Sequence, residues 1–197
     1  MKKVLLLGDS IRMGYQDYVR ELLAGRCEVY YDAENNGRFA PYTLWQANQM
    51  FKQYGHFDLV HWNNGYWDMN IEPPMAEPIV PLGLYLYYLK RIVDECRRHG
   101  AGVIFATTLP VPTKGAAADN TGTGAQVHFD NAWVREYNAA AQALMEAEGV
   151  PVNDLYALLE HEPLCGKCGD SLHLTEEANR KTAHQVASAI LAALGEG

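Results

Sequence analysis

The stretch Val4-Leu5-Leu6-Leu7-Gly8-Asp9-Ser10 decides the fold, because it joins an apolar run to a tight turn and then to a helix. The apolar run predicts a first strand, and Gly8 and Asp9 are residue types that favour turns. Apolar residues at helical spacing follow over Met13–Leu23. The segment therefore predicts one strand-to-helix unit of a parallel sheet.

The same alternation of strand and helix occurs five times along the chain. The predicted strands are Lys3–Leu7, Glu28–Asp32, Phe57–Trp62, Val103–Thr107 and Val150–Asn153. The predicted helices are Met13–Leu23, Thr43–Tyr54, Leu82–His99, Asn131–Glu148, Asp154–Glu160 and a last helix that Thr175 caps and that runs to Leu194. We predict an α/β fold with three layers, α/β/α, around a five-stranded parallel sheet, in one domain over residues 1–197.

Composition excludes some classes of partner. The 197 residues include 16 Lys and Arg against 24 Asp and Glu, which gives a formal net charge of −8. Nucleic acids and anionic membranes require a cationic surface, so neither is expected as a partner. No segment approaches the roughly 20 apolar residues of a membrane span. The apolar run Val4–Leu7 is also shorter than the about 7–15 residues of a secretory signal, so we predict a cytoplasmic protein.

The four cysteines leave one question open. Cys27 and Cys96 stand alone in predicted core elements, where a thiol behaves as a small apolar residue. Cys165 and Cys168 lie close together, with His161 just upstream, so they form a pair of reduced thiols, a disulfide or half of a metal site. A structural zinc site usually draws on a second such pair, which the sequence lacks, so we predict no metal and no cofactor.

Three residues at opposite ends of the chain have the chemistry of a hydrolase. Ser10 follows the first strand, and ligands of parallel α/β sheets bind beyond the carboxyl ends of the strands. Asp170 and His173 are three residues apart, so the carboxylate can orient the imidazole. A serine, a base and an orienting carboxylate are the parts of nucleophilic acyl transfer. Ser10 also suits the N-cap of the following helix, and the two roles are compatible.

An oxyanion hole requires donors close to the developing negative charge. The backbone N–H of Ser10 is the first candidate. Gly37 is the second, because no side chain obstructs a close approach to its backbone. A side-chain amide from Asn63 or Asn64, at the end of the third predicted strand, is the third.

Taken together, these residues resemble the SGNH (GDSL-type) hydrolases over nearly the whole chain. Gly8-Asp9-Ser10 is similar to the first block of that family, although Ile11 stands where leucine is usual. The resemblance implies a flavodoxin-like fold and a metal-free esterase, lipase, thioesterase or carbohydrate deacetylase. It also implies that Ser10, Asp170 and His173 form the triad, and that Gly37 is the oxyanion glycine.

The third block departs from the usual Gly-x-Asn-Asp of this family. Here the segment Gly65-Tyr66-Trp67-Asp68 has Trp67 at the asparagine position. The segment from Asn63 to Asp68 instead resembles the Asn-x-Gly-x-(His or Trp)-Asp of other branches. The resemblance therefore implies Asn63 as the oxyanion asparagine, with Asn64 as the alternative.

Aromatic residues near these positions bear on the substrate. Trp62, Tyr66 and Trp67 are predicted to line the substrate pocket, and Tyr42 and Trp45 lie near the Gly37 loop. Aromatic faces stack on sugars, wall an acyl pocket or fill a core. The irregular loop Pro110–Thr123 is a candidate cover for the pocket. The sequence contains no long apolar lid, which disfavours a lipase.

The favoured hypothesis is a serine esterase acting on short acyl esters of small molecules or oligosaccharides. Resemblance to sugar-ester branches points to O-acetyl groups on a carbohydrate. The alternative is a non-catalytic ligand-binding or small-nucleotide-binding module on the same fold. The loop after the first strand carries the acid Asp9 where a phosphate would lie, which disfavours the nucleotide binder.

Overall fold

A computed structural model describes residues 1–72, 74–112, 116–119 and 126–195 of the chain. The strands are β1 (Lys2–Leu7), β2 (Cys27–Tyr30), β3 (Leu59–Asn63), β4 (Gly102–Ala106), β5 (Ala116–Asp119), β6 (Gln126–Phe129) and β7 (Val152–Asn153). The helices are α1 (Ser10–Leu22), α2 (Ala40–Tyr54), α3 (Tyr66–Met69), α4 (Leu82–Arg98), α5 (Asn131–Ala147), α6 (Leu155–Leu159) and α7 (Glu176–Leu194). Among the described residues, no helix combines the length and the apolar character that crossing a membrane requires.

Five strands form one parallel sheet in the order β2-β1-β3-β4-β7. This is the strand order of flavodoxin-like folds, in which the chain reverses its direction across the sheet after the second strand. Every residue of β3 is buried, and so are the last four residues of β1. The predicted α/β class with a five-stranded parallel sheet is confirmed.

Helices cover both faces of the sheet. Because parallel connections are right-handed, the reversal after β2 places α1 and α2 on opposite faces. Helix α1 packs against α7, whereas α2 packs against α4, which also contacts α5. The carboxyl ends of β1 and β3 therefore meet at one edge between the two helical layers.

The segment Pro110–Thr123 differs in part from the predicted irregular loop. Strand β5 lies within it and pairs antiparallel with β6, forming a separate two-stranded sheet. The alanine-rich β5 has no β-branched or aromatic residue to predict a strand. Residues 113–115 and 120–123 of this loop lie outside the described residues. The predicted role of the loop as a cover therefore falls largely on residues that the structure does not describe.

The turn after β1 is built around two glycines in close approach. The N–H of Gly37 donates to the carbonyl of Gly8, at 2.9 Å. A Cβ on Gly37 would lie 2.5 Å from that carbonyl oxygen. Gly8 has a φ of +145°, and a Cβ there would lie 2.2 Å from the Asn63 side chain. Only residues without side chains allow these three segments to meet.

We expect Gly37→Ala to destabilise the fold by about 1–3 kcal/mol, because the backbone at Gly8 must move to admit a methyl group. The matched control is Gly83→Ala in α4, where no atom lies within 4 Å of the new Cβ. The control should stay within about 1 kcal/mol of the parent, on the stabilising side. Denaturant unfolding, analysed with one m value for all proteins, measures the free energy of unfolding of both variants. Equal stabilities for the two variants would contradict the proposed close contact.

Candidate active site

Ser10 is the first residue of α1, and its hydroxyl is not used to cap the helix. Asp9 is the N-cap, and its Oδ1 accepts from the N–H of Ile11 at 3.0 Å. The Ser10 hydroxyl is therefore left for another partner. The N–H of Ser10 lies in the first turn, where helical N–H groups have no carbonyl acceptor within the helix.

Ser10, His173 and Asp170 form a continuous line of hydrogen bonds. Ser10 Oγ lies 2.9 Å from His173 Nε2, and His173 Nδ1 lies 2.5 Å from Asp170 Oδ2. An ionised carboxylate only accepts hydrogen bonds, so Nδ1 carries the ring proton and Nε2 presents its lone pair to the Ser10 hydroxyl. This tautomer is the one in which histidine can take a proton from serine.

Asp170 remains ionised because several donors surround it. Burial opposes its charge, but hydrogen bonds from His173, the Leu172 N–H and the Cys168 thiol together outweigh that effect. The pKa of Asp170 is consequently lowered below its ordinary value. The carboxylate is thus available to orient the imidazole throughout the neutral range.

A tight hairpin supplies both Asp170 and His173. Lys167 and Leu174 form an antiparallel bridge, and the N–H of Cys168 donates to the carbonyl of His173 at 2.8 Å. Asp170 Oδ1 also accepts from the N–H of His173, at 2.8 Å. The hairpin therefore fixes the carboxylate and the imidazole on the same few residues.

Cys168 lies in this hairpin, and Cys165 lies in the turn just before it. The Cys168 thiol lies 3.1 Å from Asp170 Oδ1, and the Cys165 thiol lies 3.4 Å from the carbonyl of Val111. Cys165 and Cys168 are both free thiols in this structure. Cys168 thus contributes directly to the environment of the carboxylate.

The two candidate oxyanion asparagines have different surroundings. Asn64 Nδ2 donates both of its protons, to Thr43 Oγ1 at 2.8 Å and to the carbonyl of Arg38 at 3.1 Å. Asn63 Nδ2 has one long contact, 3.4 Å to Asp9 Oδ1, and so retains a proton for a ligand. The geometry favours Asn63 over Asn64 as a donor beside Ser10.

Gly37 does not present a donor in this structure. Its N–H is occupied by the carbonyl of Gly8, as described above. The glycine predicted as an oxyanion donor instead fixes the turn that carries Ser10. The N–H of Ser10 and the amide of Asn63 remain as candidate donors.

The predicted aromatic pocket is largely part of the core. Trp62 has no exposed surface and packs edge-on against Phe105, with ring centroids 5.1 Å apart. Tyr66 is 2% exposed, and its hydroxyl donates to the carbonyl of Leu109 at 2.6 Å. Both residues belong to the hydrophobic core. Of the three predicted residues, Trp67 alone is partly exposed.

Sequence reasoning missed two buried polar residues that shape this edge. Asp68 Oδ1 accepts from the N–H of Ala40 at 2.8 Å, and so caps α2, whose own N-cap Phe39 makes no such bond. Burial raises the pKa of Asp68 well above its ordinary value. Arg12 is 1% exposed, and its guanidinium donates to the carbonyls of Asp32 at 2.9 Å and Asn35 at 3.0 Å. It thereby ties the loop after β2 to α1.

Solved structures share this fold along nearly the whole chain. A crystal structure of a lipase/acylhydrolase from Enterococcus faecalis matches with a TM-score of 0.74 and 20% identity, over 96% of this chain and 95% of that one. A crystal structure of a GDSL-like lipase from Bacteroides thetaiotaomicron matches with a TM-score of 0.73 and 17% identity, over 98% of this chain and 89% of that one. A crystal structure of a psychrotrophic esterase from Pseudoalteromonas sp. matches with a TM-score of 0.72 and 12% identity, over 99% of this chain and 100% of that one.

No protein-family model and no curated protein matches the sequence. The likeness is therefore one of structure, and at these identities it establishes the α/β/α fold. The names of these neighbouring structures agree with the resemblance seen in the sequence.

We expect Asn63→Ala to slow the reaction of Ser10 with an alkylphosphonate ester by about 100-fold, because the candidate donor to the developing negative charge is lost. Asn64→Ala should instead lower the free energy of unfolding by about 1–3 kcal/mol, because Thr43 and Arg38 lose a buried donor. Intact-mass spectrometry gives the labelling rate, and denaturant unfolding gives the stability. A larger rate effect in Asn64→Ala would reverse the assignment.

The lowered pKa of Asp170 predicts a pH-dependent contribution to stability. A carboxylate whose pKa lies below its unfolded value near 3.9 stabilises the fold above about pH 4, and this contribution disappears as the pH falls. Its side chain is 43% exposed, so the contribution should not exceed about 1 kcal/mol. Unfolding of the parent and of Asp170→Asn at pH 7, 4 and 2 should show a difference that shrinks at the lowest pH. A constant difference would contradict the assignment.

Proposed function

We propose that this chain is a serine esterase that hydrolyses short-chain acyl esters, with O-acetyl groups on a carbohydrate as its substrates. One observation carries the proposal, namely the hydrogen-bonded line from Ser10 through His173 to Asp170. The solved neighbours named as an esterase and as lipases or acylhydrolases support the same reaction class.

In the first half of the reaction, Ser10 Oγ attacks the ester carbonyl carbon while His173 Nε2 takes the hydroxyl proton. The imidazolium that forms donates through Nδ1 to the Asp170 carboxylate, which stabilises its charge. The Ser10 N–H and the Asn63 amide donate to the oxyanion of the tetrahedral intermediate. His173 then returns the proton to the leaving alcohol, and an acyl-serine remains.

In the second half, water replaces the alcohol. His173 Nε2 takes a proton from the water as it attacks the acyl carbon, and the same two donors stabilise the second oxyanion. Collapse of this intermediate releases the carboxylic acid and returns the proton to Ser10. No redox or metal chemistry enters these steps.

The exposure of the triad supports a small acyl group on a large alcohol. The side chains of His173 and Asp170 are 35% and 43% exposed, so the reacting atoms lie near the surface. Trp62 and Tyr66 fill the space beneath with core packing. A shallow site of this kind suits an acetyl group whose bulky alcohol extends into solvent.

An aromatic platform beside the site supports a carbohydrate as that alcohol. Trp45 is 53% exposed, although large aromatic side chains are mostly buried in proteins. Its ring centroid lies 5.4 Å from that of Tyr42, and the Arg38 guanidinium lies 5.1 Å from the centroid of the Tyr42 ring. Arg38 directly follows Gly37, so the platform begins at the loop that contacts Gly8. Exposed aromatic faces of this kind stack on sugar rings.

The location we propose is the cytoplasm. The thiols of Cys96, Cys165 and Cys168 are free, as in proteins of reducing compartments. The non-catalytic binding module considered above is disfavoured, because binding alone gives no reason to align a serine with an imidazole and a carboxylate.

We expect Ser10→Ala and His173→Ala each to lower kcat for p-nitrophenyl acetate by at least about 10³-fold, because each removes a group that the acylation step needs. Ser188→Ala, an exposed serine on α7, is the matched control and should leave kcat unchanged. Initial rates and the mass of a phosphonylated Ser10 peptide provide the measurements. Activity that persists in Ser10→Ala would disprove the proposal.

The carbohydrate part of the proposal has a separate test. Trp45→Ala should raise KM for acetylated xylo-oligosaccharides about 2- to 10-fold, the equivalent of one lost aromatic stack, while p-nitrophenyl acetate kinetics stay unchanged. Tyr87→Ala on α4 removes a similarly exposed aromatic ring (51%) and should leave the kinetics with both substrates unchanged. If the wild type releases no acetate from any acetylated sugar, the esterase class stands and the carbohydrate assignment fails.

A further inference from the structure

Lys167 is a buried lysine at the base of the hairpin that carries Asp170 and His173. It is 5% exposed, and lysine is almost never buried without a reason. Its Nζ donates to the carbonyl of Leu172 at 2.8 Å. Leu172 directly precedes His173, so this bond acts on the peptide that connects to the imidazole-bearing residue.

The same amine links the hairpin to the core. Lys167 Nζ lies 3.0 Å from Tyr66 Oη and 5.0 Å from the centre of the Tyr66 ring. The Tyr66 hydroxyl gives its proton to the carbonyl of Leu109, so its oxygen accepts from the lysine. A chain of bonds therefore runs from the carbonyl of Leu172 through Lys167 and Tyr66 to the segment that follows β4.

The Leu172 residue is held from both sides. Its N–H donates to Asp170 Oδ1 at 2.9 Å, while its carbonyl accepts from Lys167. Rotation of this residue would move the His173 side chain away from Ser10. The two bonds together restrict that rotation.

The lysine holds these bonds without a carboxylate partner. Within the described part of the chain, no carboxylate oxygen lies within 4.0 Å of Lys167 Nζ. Burial lowers the pKa of Lys167 to about 7, while Cys165, Asp9, Asp170 and Cys168 act from further away to raise it. A neutral amine still has two N–H donors, which is the number that Leu172 and Tyr66 require. The hairpin is therefore held in either charge state.

We propose that Lys167 is a positioning residue, whose Nζ fixes the Leu172 carbonyl and thereby holds the His173 imidazole in line with Ser10. The proposal rests on the proposed esterase activity for its kinetic consequences, but its geometric consequence is independent of any substrate. A displacement of about 1 Å in catalytic geometry lowers rates by up to about 100-fold.

The test compares Lys167→Met with Lys181→Met. Methionine has a similar length and adapts to irregular core space, but it offers no donor. Lys181 lies on α7 in an exposed ion pair with Glu162, so the same substitution there is the matched control. Because Lys167→Met is itself a core change, Tyr66→Phe is a second variant, which removes only the hydroxyl that Lys167 contacts.

Two readouts separate positioning from general stability. The first is the low-field ¹H NMR resonance of the His173 Nδ1 proton, assigned by its loss in His173→Gln. The second is kcat for p-nitrophenyl acetate, normalised to active sites titrated with a phosphonate. We expect Lys167→Met to lose or shift the resonance and to lower normalised kcat by about 10- to 100-fold, with KM nearly unchanged. Tyr66→Phe should change both in the same direction but less, and Lys181→Met should change neither.

An unchanged resonance and an unchanged normalised kcat in Lys167→Met would overturn the proposal, even if the melting temperature fell, because the lysine would then serve stability alone. If Lys167→Met does not fold, unchanged readouts in Tyr66→Phe would overturn it equally. If the wild type hydrolyses no ester but the resonance depends on Lys167, the positioning role stands and the proposed function fails.

Discussion

The close contact between Gly8 and its neighbours is the constraint on which the rest of the site depends. Three chain segments meet there: the loop after β2 through the N–H of Gly37, the end of β3 through the Asn63 side chain, and α1. Their approach leaves no space for a Cβ on either glycine, so the turn that presents Ser10 depends on residues without side chains. Arg12 reinforces this junction from within, because its guanidinium takes up loop carbonyls that would otherwise be buried without donors.

The proposed nucleophile and the proposed base are held by different means. Ser10 is fixed by main-chain packing at the end of a buried strand, where little can move. His173 depends on a short surface hairpin, which side-chain bonds from Asp170 and Lys167 stabilise. In the proposed reaction, the alignment of these two elements determines whether His173 can take the proton of Ser10.

The sequence predicted the framework well, because apolar runs such as Val4–Leu7 and the helical periodicity of α4 depend on local chemistry alone. It also predicted that Ser10 would meet Asp170 and His173, from the chemistry of the three residues and from the resemblance to the SGNH hydrolases. It could not assign Trp62 or Tyr66 to the core, because a strand buried on both faces gives no alternation to show which way a side chain points. Buried polar residues were missed for a related reason. The partners of Lys167 and Asp68 lie far away in sequence, so nothing local distinguishes them from surface charges.

The hydrogen bond between Ser10 and His173 joins residues 163 positions apart, near the two ends of the chain. A contact of such long sequence separation carries the loop-closure entropy of the intervening chain, which slows its formation. During synthesis, Ser10 therefore leaves the ribosome long before His173 is made. In the proposed reaction, Ser10 has no base until the segment that carries His173 has docked beside α1. Reactivity of the serine thus reports completion of the whole fold, so phosphonate labelling can serve as a clock for folding in addition to a measure of catalysis.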